Sequence, residues 1–332
     1  MIEVFDTTSD GQVVHKITIG NKVLSASILN YGIALQDVRL AGVPHSLTLG
    51  FPTLTPYEGS MFHAGTLMGP VANRIKDAYA EIDGKIFHFD KNFQKKHTLH
   101  SGRAATHAKI WSVDFHNENK VVLSTPLPDG EGGFPGNRHI TATFSITQTS
   151  LSLELTATTD APTLMNLANH SYWNLGPDPT TRGHSLTVAA DHYLPGNPVT
   201  TIPTGAIEPV ENTRFDYRTG RQIEAGNEGL LDLNFCLQPT PKRRKFAAGL
   251  AGPTGISMAL ETTAPGLQVF DGHSTGTANS ITLDGTPTPN YAGLALEAQF
   301  WPNAPHNPEF PDITLRPNQT WHQHTIWAFS KG

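Results

Sequence analysis

The stretch Asn166 to Leu175, NLANHSYWNL, sets His170 between Asn169 and Ser171, with Tyr172, Trp173 and Asn174 directly after it and almost no charge around it. Rings can cover the apolar face of a sugar, and amides can bond its hydroxyls, so the run suits a sugar-handling surface. The competing reading is an internally hydrogen-bonded core histidine. Far along the chain, Tyr291 to Phe300 reads as a largely apolar strand with Glu297 inside it. A carboxylate buried there without a partner is costly, which favours a functional role. Arg74 follows Asn73 just ahead of a hairpin, where a salt-bridged surface residue is equally natural, and Asp232 suits a turn as well as a site. His97 and His100 are close enough to converge in a loop, and His322 and His324 share one face of a strand. A catalytic zinc site needs a third ligand and an open position, so no metal is expected.

Strands must position these residues. Val13 to Ile19, Val23 to Leu29 and Ala34 to Leu40 alternate in short β-like pieces, and residues 50 to 72 form an irregular stretch. Tyr79 to Ile82 and Lys85 to Phe89 flank Asp83-Gly84, a pair suited to a two-residue primed turn, which places Arg74 at a sheet end. His97 to Gly102 leads to a strand at Ile110 to Phe115 that returns through Val121 to Ser124. Pro126 to Arg138, PLPDGEGGFPGNR, is too rich in Pro and Gly for regular structure and reads as a surface loop or flap. Ile140 to Ile146 and Leu151 to Thr156 pair across Gln148-Thr149. Further strands are expected at Leu186 to Ala189, Ile256 to Thr262, Leu267 to Phe270, Tyr291 to Phe300 and Thr320 to Phe329. Helical pattern is scarce, and its best candidate, Arg221 to Leu231, is weakened by Gly226. No fixed-period repeat supports a propeller, and no break in composition divides residues 1–332, which are expected to form one domain.

Composition narrows the function. A formal charge of −6 without a long basic tract leaves no footprint for nucleic acid, so a small neutral ligand fits better. Charged residues make up only 16%, while 30 Gly and 25 Pro point to many turns. Cys236 is the only cysteine, which excludes an intrachain disulfide and permits a reducing compartment. The first residues carry no signal-like segment, and no apolar run approaches the ~20 residues that span a bilayer. A cytoplasmic protein without nucleic-acid or membrane partners is therefore expected. Sixteen His against five Met give reason to inspect each His for a role.

Five polar clusters taken in order resemble the aldose 1-epimerase family, also called galactose mutarotases. They are Asn73-Arg74-Ile75, His97 to Gly102, Asn169 to Leu175, Asp232 to Phe235 and Gly293 to Gln299, with Pro265 to Gln268 and the turn Ile202 to Gly205 in agreement. The resemblance covers nearly the whole chain, and ordered recurrence is far more specific than any one piece. It implies an all-β fold, a large antiparallel β-supersandwich with a sugar cleft on the concave face of one sheet. It also implies an isomerase without a cofactor that interconverts the α and β anomers of a free monosaccharide such as galactose or glucose, working as a monomer or weak homodimer. In that chemistry a base takes the proton from the anomeric hydroxyl while an acid protonates the ring oxygen, and the opened aldehyde rotates and recloses. By resemblance Glu297 is the base and His170 the acid. Arg74 and His100 would donate to the sugar and Asp232 would accept from two hydroxyls. Asn73, Tyr172 and Gln268 would be hydroxyl partners, and Trp173 would either pack or cover an apolar sugar face.

Three positions depart from the family pattern: Ser101 where a second glycine is frequent, Leu233 where His commonly follows the Asp, and Asn303 where Asp is frequent. They put the preferred sugar in question, since selectivity rests on which hydroxyls find partners. Rival readings are a non-catalytic sugar-binding module and a glycoside hydrolase using Asp232 and Glu297 as paired carboxylates. An enzyme for a phosphorylated hexose would need more convergent cations than Arg74, and Lys242 to Lys245 reads as a solvated loop.

Overall fold

A computed structural model describes residues 1–223, 231–237 and 243–332. Every paired strand ladder among them is antiparallel. A nine-stranded sheet runs in the spatial order Ser112–His116, Lys120–Leu127, Arg138–Thr147, Ser150–Thr159, Trp321–Lys331, Ile256–Thr262, Lys245–Ala251, Ser185–Val188 and Arg221–Gln222. A six-stranded sheet orders Tyr172–Trp173, Leu294–Gln299, Gly266–Phe270, Asp232–Cys236, His192–Leu194 and Glu208–Pro209. The first forty residues form a separate four-stranded meander, including the unforeseen strand Ile2–Thr7.

Period-two alternation explains how the six-stranded sheet serves both packing and chemistry. Tyr172 pairs with Ala295, Glu297 with Gln268, and Phe270 with Asp232, so these residues share one face. The intervening Trp173, Leu294, Leu296, Leu267, Val269, Leu233 and Phe235 point the other way into the main apolar cluster. There the Trp173 ring meets Trp327 and Phe329 of the nine-stranded sheet at centroid distances of 5.5 and 5.7 Å. Burying each such side chain contributes roughly 1.5–3 kcal/mol, which fixes the register of the functional face behind it.

The hairpin at Asp83-Gly84 forms as expected, with φ values of 47° and 77° that belong to the primed turn. The expected helix over Arg221 to Leu231 falls largely outside the described residues, and its first two residues are a strand paired with Ser185 and Leu186. Pro126 to Arg138 is a loop only in its middle, since Pro126 and Leu127 end one strand and Arg138 begins the next, and the loop is anchored in the core. Phe134 in its middle is fully buried and stacks on Phe89 at 4.2 Å, and Arg138 is buried with its guanidinium on the carbonyls of Gly136 and Pro128. Of the basic run, Lys242 lies outside the described residues, Arg244 bonds Glu261 at 2.9 Å, and Lys245 opens a strand of the nine-stranded sheet.

Candidate active site

A cavity of about 270 Å³ opens on the functional face of the six-stranded sheet. Asn73, Arg74, His100, His170, Tyr172, Asp232, Gln268 and Glu297 all line it. Sequence positions from 73 to 297 thus converge on one space. Gln268 Nε2 donates to Asp232 Oδ1 at 2.6 Å across adjacent strands, and Arg74 approaches Asp232 Oδ2 at 3.5 Å. Asp232 opens a strand and does not cap a turn; its carboxylate is held between a neutral amide and a cation.

The opposite wall rests on the short pairing of Arg74–Ile75 with Thr98–Leu99. Asn73 and His100 both take left-handed backbone, with φ of 63° and 48°. The amide of Asn73 donates to His100 Nδ1 at 3.1 Å, and the amide of His100 returns a bond to the Asn73 carbonyl at 2.9 Å. Asn73 Oδ1 also accepts from Arg74 at 3.2 Å, and the guanidinium lies 5.1 Å from the Phe93 ring. Ser101 keeps a glycine-like φ of 67°, its hydroxyl accepting from the Val71 amide at 2.8 Å and donating to the Val71 carbonyl at 2.9 Å. Asn303, at φ 60°, bonds the Lys76 amide through Oδ1 and donates its own amide to the Arg74 carbonyl, so it steadies the cation from behind. Leu233 alternates away from the cavity into the core.

His170 belongs to no strand and is positioned through main-chain bonds. Its amide donates to the Thr66 carbonyl at 2.9 Å, and its carbonyl accepts from the Gly65 amide at 3.1 Å. Gly65 is required there: its φ is 70°, and a Cβ would lie 2.4 Å from the Leu35 carbonyl oxygen. Asn169 Nδ2 bonds the Gly65 carbonyl, and Asn166 bonds Phe300 through both its amide atoms, so these neighbours aim the imidazole.

His170 Nε2 stands 3.5 Å from Glu297 Oε1 with both side chains almost fully buried. Burial pushes the Glu297 carboxyl up to about 8, the Asp232 charge adding to this and Arg74 opposing it. Burial likewise pushes His170 down to about 4. Both directions favour the uncharged forms, a carboxyl facing an imidazole over an ion pair. Glu297 Oε2, His170 Nδ1 and Arg74 Nε have no hydrogen-bond partner among the described residues. Buried polar atoms left unpaired at one place are a mark of function.

The cavity has further walls that sequence reasoning missed. His63 lies with ring centroids 5.1 Å from His170 and 5.3 Å from His100, and Phe270, His273, Ser274, Thr275, Ser60, Met61 and Leu99 complete the lining. Burial holds both His63 and His100 well below the usual imidazole range. The histidine excess was the only signal for His63 and His273. His97 points away from the cavity and accepts the Asp77 amide at 2.9 Å, while His322 pairs with Glu154 and His324 bonds Ser152 on the other sheet. Those imidazoles do not converge with His100.

The sequence pattern of the family described as aldose 1-epimerase matches residues 15–328. The chain is 34% identical to galactose mutarotase of Rattus norvegicus, over 96% of this chain and 94% of the relative. It is 30% identical to aldose 1-epimerase of Escherichia coli K12, with 96% of each chain covered. Among solved structures, an aldose epimerase homologue from C. elegans aligns with a TM-score of 0.87 at 30% identity, covering 95% of this chain and 98% of that one. Galactose 1-epimerase from Lactobacillus acidophilus aligns with a TM-score of 0.85 over 100% and 98% at 24% identity, a likeness of fold.

Proposed function

The chain belongs to the aldose 1-epimerase family and has its antiparallel β-supersandwich fold, and on that premise we propose that Glu297 and His170 are the base and acid with which it opens and recloses a sugar ring. The protein is an isomerase that interconverts the anomers of an aldose. We take galactose, named for several relatives, as the first sugar to test.

The reading rests on the 3.5 Å contact between His170 Nε2 and Glu297 Oε1 on the cavity wall. The anomeric hydroxyl and the ring oxygen hang on the same carbon, so two groups that stand side by side can serve both. With a closed sugar bound, the working form is carboxylate and imidazolium. Glu297 takes the proton from the anomeric hydroxyl, His170 gives one to the ring oxygen, the bond from the anomeric carbon to that oxygen breaks, and an aldehyde forms. The pair is then neutral, the form that burial favours. Rotation of the aldehyde followed by the reverse transfers gives the other anomer. The open-chain intermediate is thus matched by the protein's own preferred protonation state.

Around this pair, His100 offers an Nε2 hydrogen because its Nδ1 already accepts from Asn73. Arg74 supplies a fixed cation where negative charge develops. Asp232, fixed by Gln268 and Arg74, accepts from neighbouring hydroxyls, with Asn73, Gln268 and Tyr172 as further partners. A hydrolytic role would instead ask Asp232 to act as acid or base across a glycosidic bond, and the family match favours anomer interconversion. Polarimetry of freshly dissolved α-D-galactose is the test. Glu297→Gln and His170→Asn should each lower the rate by about 10²–10⁴-fold. Full activity in either variant would sink the assignment.

A further inference from the structure

We propose that His273, held by Asp271, is a specificity-determining residue that bonds one non-anomeric hydroxyl of the aldose; this rests on the mutarotase reading above. The strand Gly266–Phe270 ends beside the cavity and the chain turns through Gly272, where φ is 70° and a Cβ would lie 2.6 Å from the Gly293 carbonyl oxygen. That turn buries Asp271, which is 2% exposed, and brings His273 onto the cavity wall. Asp271 Oδ2 accepts the Leu231 amide at 3.1 Å. Its Oδ1 faces both the His273 amide at 3.1 Å and His273 Nδ1 at 2.8 Å.

With N–H groups converging on both oxygens, the carboxyl acts as acceptor, and Nδ1 carries the hydrogen. The ring is thereby fixed with its other edge outward. Among the described residues no protein group bonds Nε2, and the side chain is 23% exposed. A sugar hydroxyl both donates and accepts, so it can meet Nε2 whether or not that atom is protonated. Phe270 neighbours both this ring and the reacting pair, with centroids 5.0 Å from His273 and 6.4 Å from His170. His273 grips the sugar away from the bond that breaks. Leu231 directly precedes Asp232, so one carboxylate ties His273 to the strand that carries the hydroxyl-binding Asp232.

The test measures kcat and KM for the better of D-galactose and D-glucose and for its 2-, 3-, 4- and 6-deoxy analogues, in the intact protein. His273→Ala should raise KM for the parent sugar about tenfold with kcat within a few-fold, the size expected for one hydrogen bond. It should also abolish discrimination against one deoxy sugar alone, while leaving the others as in the parent protein. His273→Gln, which keeps a hydrogen-bonding group, should restore part of the loss, and Asp271→Asn should weaken binding of the same sugars. An equal loss on every analogue, or no loss on any, would overturn the role. An unsubstituted protein that accelerates neither parent sugar would instead overturn the mutarotase reading.

Discussion

Asn73 and His100 exchange a pair of hydrogen bonds, amide to Nδ1 at 3.1 Å and amide to carbonyl at 2.9 Å, and the exchange decides which His100 nitrogen carries hydrogen. With Nδ1 accepting, the neutral ring presents only Nε2–H to the cavity. Nitrogen-15 spectra should show that tautomer with no titration in the usual imidazole range, since burial holds His100 well below it. His100→Ala should lower kcat/KM by about 10²-fold, as loss of a donor aimed at developing charge does. A ring that titrates near its ordinary value would contradict this account.

The reacting pair needs one proton between its two members. It gains a second when His170 protonates, near pH 4, and loses its last when Glu297 ionises, near pH 8. The profile of kcat/KM should therefore be a bell with limbs near these values. Asp232→Asn removes a like charge that raises Glu297, so its alkaline limb should move to lower pH. An unmoved limb would show that the two carboxyls are not coupled.

Glu297 should cost stability as the pH rises from about 4.5 to about 8. The folded protein keeps its proton to about pH 8, whereas an unfolded chain releases it from its ordinary value of 4.5. Across that window the unfolded state binds fewer protons, so stability falls by up to about 1.4 kcal/mol per pH unit. Glu297→Gln lacks this loss. In thermal melts its advantage over the parent protein should grow from pH 5 to pH 8, and a constant difference would refute the raised carboxyl.

Ser101 combines a left-handed backbone with a hydroxyl that bridges both polar groups of Val71. Ser101→Ala keeps the unfavourable backbone and strands the buried Val71 amide, so it should destabilise by about 1–3 kcal/mol. Ser101→Gly should lose about 1 kcal/mol less, because glycine takes that conformation freely. Denaturant melts that place the two variants in the opposite order would reject this balance.

The alternating strands were readable because side chains on a two-sided sheet follow a period of two. Leu294, Leu296 and Glu297 are the clearest case, with leucines turned to the core and the acid to the cavity. The proposed pair and its six companions were readable through ordered resemblance. His63 and His273 were not, because both come from irregular chain whose direction is set by distant contacts and not by local pattern. Pro126 to Arg138 misled for a related reason: its Pro and Gly content signals a loop, yet Phe134 anchors that loop in the core. Ser101 and Asn303 look like departures in sequence, but in space each adopts left-handed backbone and supplies its own hydrogen bonds.

Leu294–Gln299 is late in the sequence but lies inside its sheet, between Tyr172–Trp173 and Gly266–Phe270. During synthesis the ribosome therefore releases His170 long before the strand that gives it a partner. A nascent chain halted before residue 294 has an open slot in that sheet and only half of its proton-transfer machinery. Recovery of mutarotation after dilution from denaturant consequently requires this strand to be seated between its two neighbours, whatever else has already formed.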